Sequence, residues 1–229
     1  MVRKWLIEAV LNNAAWCDAV AASHGITSRW EDSLWLSEYP MPPFYPNIVT
    51  LESGVQIDEQ IDTIGPHLPL GWGIKDSFSE LDLHTNGFVP AIDAYWFCRL
   101  PGQSPTLENE SRCQLQTVQT KPELDRWVAA WGEGNRVFNL LLLENSAVDL
   151  FFTERDGKIV SGLAANLSGD SLGISNAYGQ EDDMVGCVDL VVQRHPERAV
   201  VGYGDQSEVE ALSRIGFKVI GDLRVWLRA

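Results

Sequence analysis

The stretch Ala199-Val200-Val201-Gly202-Tyr203-Gly204-Asp205-Gln206-Ser207-Glu208-Val209-Glu210-Ala211-Leu212-Ser213-Arg214-Ile215-Gly216-Phe217-Lys218-Val219-Ile220 decides the reading of the chain. Its apolar run 199–203 reads as a strand. Residues 208–215 have apolar positions at helical spacing, Gly216 supplies a stop, and 218–227 returns to strand-like content. Outward from there, a helix over 184–194 ends at His195-Pro196, since the residue before a proline is pushed out of helical conformation. Strand-like segments 148–154 and 158–166 flank Asp156-Gly157, a strong hairpin-turn signal, and a second turn at Ser168-Gly169-Asp170 opens a strand over 172–178. Residues 122–131 read as a helix, and 136–145 are too uniformly apolar to assign. Hairpins followed by strand–helix–strand units predict an α/β protein with a mixed α+β sheet.

The first half has a related layout. Residues 3–22 have helical spacing with Gly25 beyond, 33–37 and 48–51 read as strands, 55–65 as a helix, and 71–74 and 91–97 as strands. Tyr39-Pro40-Met41-Pro42-Pro43-Phe44-Tyr45-Pro46 excludes regular structure, because proline lacks the N–H donor. Shifting the chain by 129 residues aligns 31–99 with 160–228 without gaps and matches Leu34/Leu163, Asn47/Asn176, Glu52/Glu181, Gly73/Gly202, Asp76/Asp205, Gly87/Gly216, Phe88/Phe217, Asp93/Asp222 and Arg99/Arg228. Gly-Phe opens the last strand in both halves. The expectation is two lobes of similar topology, 1–105 and 112–229.

Of 229 residues, 17 are Lys or Arg and 32 Asp or Glu, a net charge of −15, divided as −8 over 1–105 and −7 over 106–229. That balance counts against a nucleic-acid partner, which needs clustered cations. An apolar content of 45% with nine tryptophans excludes disorder. No segment reaches the ~20 apolar residues of a membrane span, and Glu8, Asn12 and Asn13 interrupt what would otherwise begin like a signal peptide. Cys17, Cys98, Cys113 and Cys187 have no ligand spacing and read as reduced residues of a cytoplasmic protein. With four scattered histidines, no metal is expected.

The Asp156-Gly157 hairpin, the helix after the Asn176 strand, and Ala211-Leu212-Ser213-Arg214-Ile215-Gly216-Phe217 ahead of a final strand together resemble the GNAT (GCN5-related N-acetyltransferase) superfamily. The resemblance covers 112–229 and makes 1–105 a more divergent GNAT-like lobe. It implies an acetyl-CoA or other acyl-CoA donor, whose pyrophosphate is held by a Gln/Arg-x-x-Gly-x-Gly/Ala loop and the helix N-terminus behind it. The matching stretch is Tyr178-Gly179-Gln180-Glu181-Asp182-Asp183-Met184-Val185-Gly186. Tyr178, Gln180 and Gly186 are the candidate cofactor-binding residues, with Gln180 and Gly186 at the wrong spacing. Glu181, Asp182 and Asp183 fall where the pyrophosphate would lie, and each opposes a phosphate charge by about 3–4 kcal/mol at ~4–6 Å. Asp182 or Asp183 is also expected to cap that helix. The tyrosine that family members use as general acid is replaced by Leu212, and a family asparagine by Asp205, so no catalytic residue carries over; Tyr203 is a neighbouring substitute.

Candidate substrate-binding residues complete the expectation. Asn47 and Asn176 occupy matching positions near strand ends and suit either a ligand amide or splayed backbone. Asp76 and Asp205 suit an amine or a base, or else a turn or helix cap. Tyr45 belongs with Trp30, Trp35, Tyr39, Phe44 and Trp72 to an aromatic-rich first half that suits a cationic ligand or simple packing, and Tyr203 suits either a substitute proton donor or a half-buried strand position. The function expected is acyl-CoA-dependent N-acetylation of a small-molecule amine; the alternative is a non-catalytic GNAT-like binding or scaffold protein without acyl-CoA.

Overall fold

The computed structural model describes residues 2–102, 113–132 and 137–229. Helices α1 (Val2–Ser23), α2 (Asp58–Ile64), α3 (Lys121–Trp131), α4 (Leu140–Leu143), α5 (Glu181–Arg194) and α6 (Gln206–Ser213) pack on one sheet of eleven strands. In chain order the strands are β1 (Arg29–Trp30), β2 (Leu34–Leu36), β3 (Ile48–Thr50), β4 (Gly73–Asp76), β5 (Phe88–Arg99), β6 (Leu115–Thr117), β7 (Val148–Arg155), β8 (Lys158–Ser168), β9 (Ser171–Gly179), β10 (Ala199–Gly204) and β11 (Lys218–Arg228). The spatial order is β1-β2-β3-β4-β11-β5-β10-β9-β8-β7-β6, antiparallel except at β3/β4 and β10/β9. This is the mixed sheet the sequence predicts.

Local chemistry sets the elements. Asp156 and Gly157, both at positive φ, turn β7 into β8. Thr120 and Glu123 form a reciprocal capping box at the start of α3, and Asp205 and Glu208 do the same for α6. The second box starts α6 at Gln206, two residues ahead of the expected start. The ambiguous run 136–145 yields only the single turn α4, capped by the Asn139 side chain; residue 136 lies outside the described residues.

The sheet has no break at the expected boundary between 1–105 and 112–229, most of which lies outside the described residues. The last strand of each half lies among the strands of the other: β11 sits between β4 and β5, and β5 between β11 and β10. Along β5/β11, Ala94 faces Leu223, which lies 129 residues on, and the pairs Asp93–Arg224 and Tyr95–Asp222 are counterparts under that same shift. Even the register irregularities, at Ala91 and Ile220, correspond. Gly87 and Gly216 both take positive φ, and Phe88 N–H and Phe217 N–H donate to Leu83 and Leu212, a further identical pair. The flanking strands run one residue out of step: Asp76 faces Arg224, whereas Gly204 faces Tyr95. Asp76 therefore corresponds in the sheet to Gly204 and not to Asp205, because β4 and β10 meet their neighbours at different registers.

Two layers cover the sheet. On one face α5 and α6 bury Met184, Val188, Val191 and Leu212 against Phe97, Leu163 and Ile174. On the other α1 buries Ala9, Val10 and Cys17 against Trp35, Ala94, Trp96 and Leu223. Asn12 ties α1 to the sheet: its Nδ2 donates to Asn166 O, Ser171 O and Ser171 Oγ, and Asn166 Nδ2 donates back to Asn12 O. Gly173 makes this approach possible, since a Cβ there would lie 1.8 Å from Asn12 Oδ1.

Candidate functional site

β9 and β10 pair only from Ser171/Ala199 to Gly173/Val201, although β9 continues to Gly179 and β10 to Gly204. The strands splay beyond that point, and their facing edges lose strand partners. A bulge reinforces the divergence: Asn176 and Ala177 together oppose Leu163 of β8, and Asn176 takes a φ of 53°. The gap is a cavity of about 430 Å³, within the usual size of small-molecule sites. Ile174, Met184 and Leu212 line it from the α5/α6 layer, and Cys17, Ala94 and Tyr203 from the α1 layer.

The polar lining is organised by directional bonds. Trp16 Nε1 donates to Tyr45 Oη at 3.1 Å, and Tyr45 Oη donates to Asn176 Oδ1 at 3.0 Å. Indole nitrogen can only donate, so the tyrosine hydroxyl accepts there and donates onward, which turns the Asn176 oxygen toward it and leaves the Asn176 NH₂ for another partner. Burial pushes the Tyr45 phenol well above its ordinary range, so this relay keeps its protons. Lys75, only 3% exposed, points from β4 to donate to Asn13 Oδ1 at 2.6 Å, with Nζ 4.2 Å from the Tyr203 ring centroid. β4 and β10 are three strand spacings apart, roughly 14 Å, so the two long side chains meet above β11 and β5. Small Ala94 leaves room between them.

The opposite wall is acidic. Asp205 caps α6, accepting from Glu208 N–H and Ser207 Oγ, and these bonds hold its carboxyl below the usual range. Glu208 Oε2 accepts from Asp205 N–H, and desolvation raises the Glu208 carboxyl.

The cavity thus gathers four of the expected substrate-binding residues: Tyr45, Asn176, Tyr203 and Asp205. Asn47 and Asp76 are elsewhere. Buried Asn47 donates to the carbonyls of Ser37 and Tyr39, holding the proline-rich loop, and buried Asp76 accepts from Phe78 N–H and Leu81 N–H. Lys75, Glu208, Asn13 and Trp16 are cavity residues that the sequence reading does not select. Only Glu208 carries a signal, as the fourth residue of the Asp-x-x-Glu capping pattern. Lys75 becomes significant only when the sheet order places β4 near β10.

At the mouth of α5 the expected cap is absent. Gln180 is the N-cap residue and makes no side-chain cap bond. α5 starts at Glu181, so Asp182 and Asp183 lie inside its first turn and not at the cap position; they pair instead with Arg214 and Arg155, and Glu181 shares Arg214. Gly186 lies inside α5 on its way past the first turn. Tyr178 packs edge-on against Trp127 and donates to Trp127 O, away from the cavity.

No family model and no curated protein matches the chain. Solved structures do. A GCN5-related N-acetyltransferase from Kribbella flavida superposes with a TM-score of 0.66 at 11% identity, over 96% of this chain and 95% of that one. The fold is that of the GNAT superfamily. A GCN5-related N-acetyltransferase-like protein from Streptococcus suis 89/1591 matches over 98% of this chain and 99% of its own, with a TM-score of 0.56 and 10% identity. A conserved protein of unknown function from Staphylococcus epidermidis ATCC 12228 matches over 89% and 94%, with a TM-score of 0.62 and 11% identity. The GNAT-fold likeness thus spans both halves of the chain. Among the described residues no helix is long and apolar enough to cross a membrane, and no cluster of three His, Cys, Asp or Glu is arranged to hold a metal ion.

Proposed function

We propose that this GNAT-fold protein is an acyl-CoA-dependent N-acyltransferase acting on a small amine held in the cavity at the β9/β10 splay. The observation that carries the reading is the cavity itself, which polar side chains from α1, β4, β9, β10 and α6 line together. A module used only as a scaffold gains nothing from such a cost in burial. Acyl-CoA would supply the activated acyl group. Its pyrophosphate would meet the first-turn amides of α5, which have no partners within the helix, while Arg155 and Arg214 turn from Asp183, Glu181 and Asp182 toward phosphate. Glu208, its carboxyl raised by burial, is suited to take a proton from the amine. The unpaired strand edges beyond Gly173 and Val201 supply N–H donors for the thioester oxygen. The tandem arrangement of lobes, the cytoplasmic setting and the absence of nucleic-acid partners belong to the same proposal.

Leu212 and the acidic first turn of α5 favour a second reading, a ligand-binding protein that has lost acyl-CoA. Calorimetric titration of the full chain with acetyl-CoA separates the two. Binding at micromolar to low-millimolar Kd is expected, tightening on exchange of Glu181, Asp182 and Asp183 for Gln and Asn. No heat from either protein, both folded, would overturn the acyltransferase reading.

A further inference from the structure

The cavity holds a cation that has no counter-ion. Lys75 is almost fully buried, and its contacts are the neutral amide of Asn13 and the face of Tyr203. Among the described residues no carboxylate pairs with it. An ammonium has three N–H donors; one serves Asn13, one faces the ring, and one is left over. A buried charge compensated only by an amide dipole and a ring quadrupole is costly to keep in a chain free to place an apolar residue there. Lys75 also stands in a protein of net charge −15, and within the cavity it lies across from the acidic wall of Asp205 and Glu208.

The Trp16–Tyr45–Asn176 relay adds a second donor. Because Tyr45 Oη donates to Asn176 Oδ1, the Asn176 NH₂ is directed elsewhere, and among the described residues no acceptor takes it. Two donors, one of them charged, therefore line one side of a cavity whose other side carries Asp205 and Glu208. From this polarity we infer that the ligand is a zwitterion of the amino-acid class: its carboxylate is received by Lys75 Nζ and the Asn176 amide, and its amine by the acidic wall of α6. The inference rests on the acyltransferase reading for the direction in which the amine reacts, but not for the binding itself. It replaces a purely cationic acceptor, which the overall acidity alone would suggest, with one that also carries negative charge.

The test is equilibrium binding to the full chain without acyl-CoA, by calorimetry, of the protein L-amino acids and of the amines formed by removing the α-carboxylate from each. At least one amino acid is expected to bind tenfold or more tighter than its own amine. Lys75→Met should abolish that preference, and Asn176→Ala should reduce it. Lys75→Met should also melt at or above the wild-type temperature when unliganded, because a buried charge is replaced by a side chain of similar volume. Binding of amines equal to or tighter than that of their amino acids, retention of the preference in Lys75→Met, or binding by neither set would overturn the inference. So would a lower melting temperature for Lys75→Met, which would mark Lys75 as a structural residue. Amino-acid binding without acetyl-CoA binding would leave this inference standing and remove only the acyltransferase reading.

Discussion

Gly173→Ala makes a very close clash. The new Cβ would sit 1.8 Å from Asn12 Oδ1 and 2.8 Å from Asn166 Oδ1. The Asn12 amide cannot swing aside cheaply, because its Nδ2 is held by Asn166 O, Ser171 O and Ser171 Oγ. The amide has to leave, stranding buried polar groups at about 1–3 kcal/mol, and the added methyl still overpacks the seat of α1 at about 1–3 kcal/mol. The sum is about 2–6 kcal/mol, a drop of roughly 10 °C in Tm for a chain of this size. Urea unfolding followed by tryptophan fluorescence measures it, as one arm of a double-mutant cycle. In an Asn12→Ala background the worst clash is gone, so Gly173→Ala should cost less than half as much, giving a coupling energy above about 1 kcal/mol. If the two changes add to within about 0.5 kcal/mol, or if Gly173→Ala alone costs under about 1 kcal/mol, the account of how α1 is seated is wrong.

Three further outcomes are expected. Tyr45→Phe breaks the relay and leaves Trp16 Nε1 and Asn176 Oδ1 without their partner; stability should fall by about 2 kcal/mol, with a change in Trp16 emission read by fluorescence. Gly216→Ala places a side chain at a φ of 88° and Gly87→Ala at 78°, so each should cost about 1 kcal/mol or more in chemical denaturation. In Gly87→Ala the Cβ also meets Arg228 Nη1 at 2.9 Å, the end of a flexible side chain that can swing aside at little further cost. Glu208 has its carboxyl raised above 4.5 by desolvation, so the stability it contributes is present below that value and lost as pH rises through the raised one. Glu208→Gln should therefore gain stability relative to wild type as pH rises above 4.5; a difference that stays constant as pH rises would refute the assignment.

The fold was legible where a single local rule dominates. Asp156-Gly157 marks the β7/β8 hairpin, Gly216 the end of α6, and the prolines of 40–46 the irregular loop. The uniformly apolar run at Leu140–Leu143 has no period to read, and only the Asn139 cap settles it as a turn of helix. In the site, Tyr45 and Asn176 belong together, but their contact spans 131 residues of chain and follows only from the sheet order. Lys75 was invisible for the same reason: its partners lie on α1 and β10. Asn47 and Asn176 share a letter in the alignment yet differ in role, because one closes a loop and the other occupies a bulge.

The interleaving of β5 and β11 has a consequence for how the chain comes into being. β4 obtains its inner partner only from residues 218–228, which are made after all the other strands of the sheet. Until then the first half carries an open strand edge and a Lys75 with no Tyr203 beside it. The strands of both halves must wait on β11, which favours slow, late closure over half-by-half folding during synthesis. A nascent chain arrested before β11 would be a target for chaperones or for strand-pairing with another copy. A cavity shared between the halves thus comes with a chain that completes both of them at once.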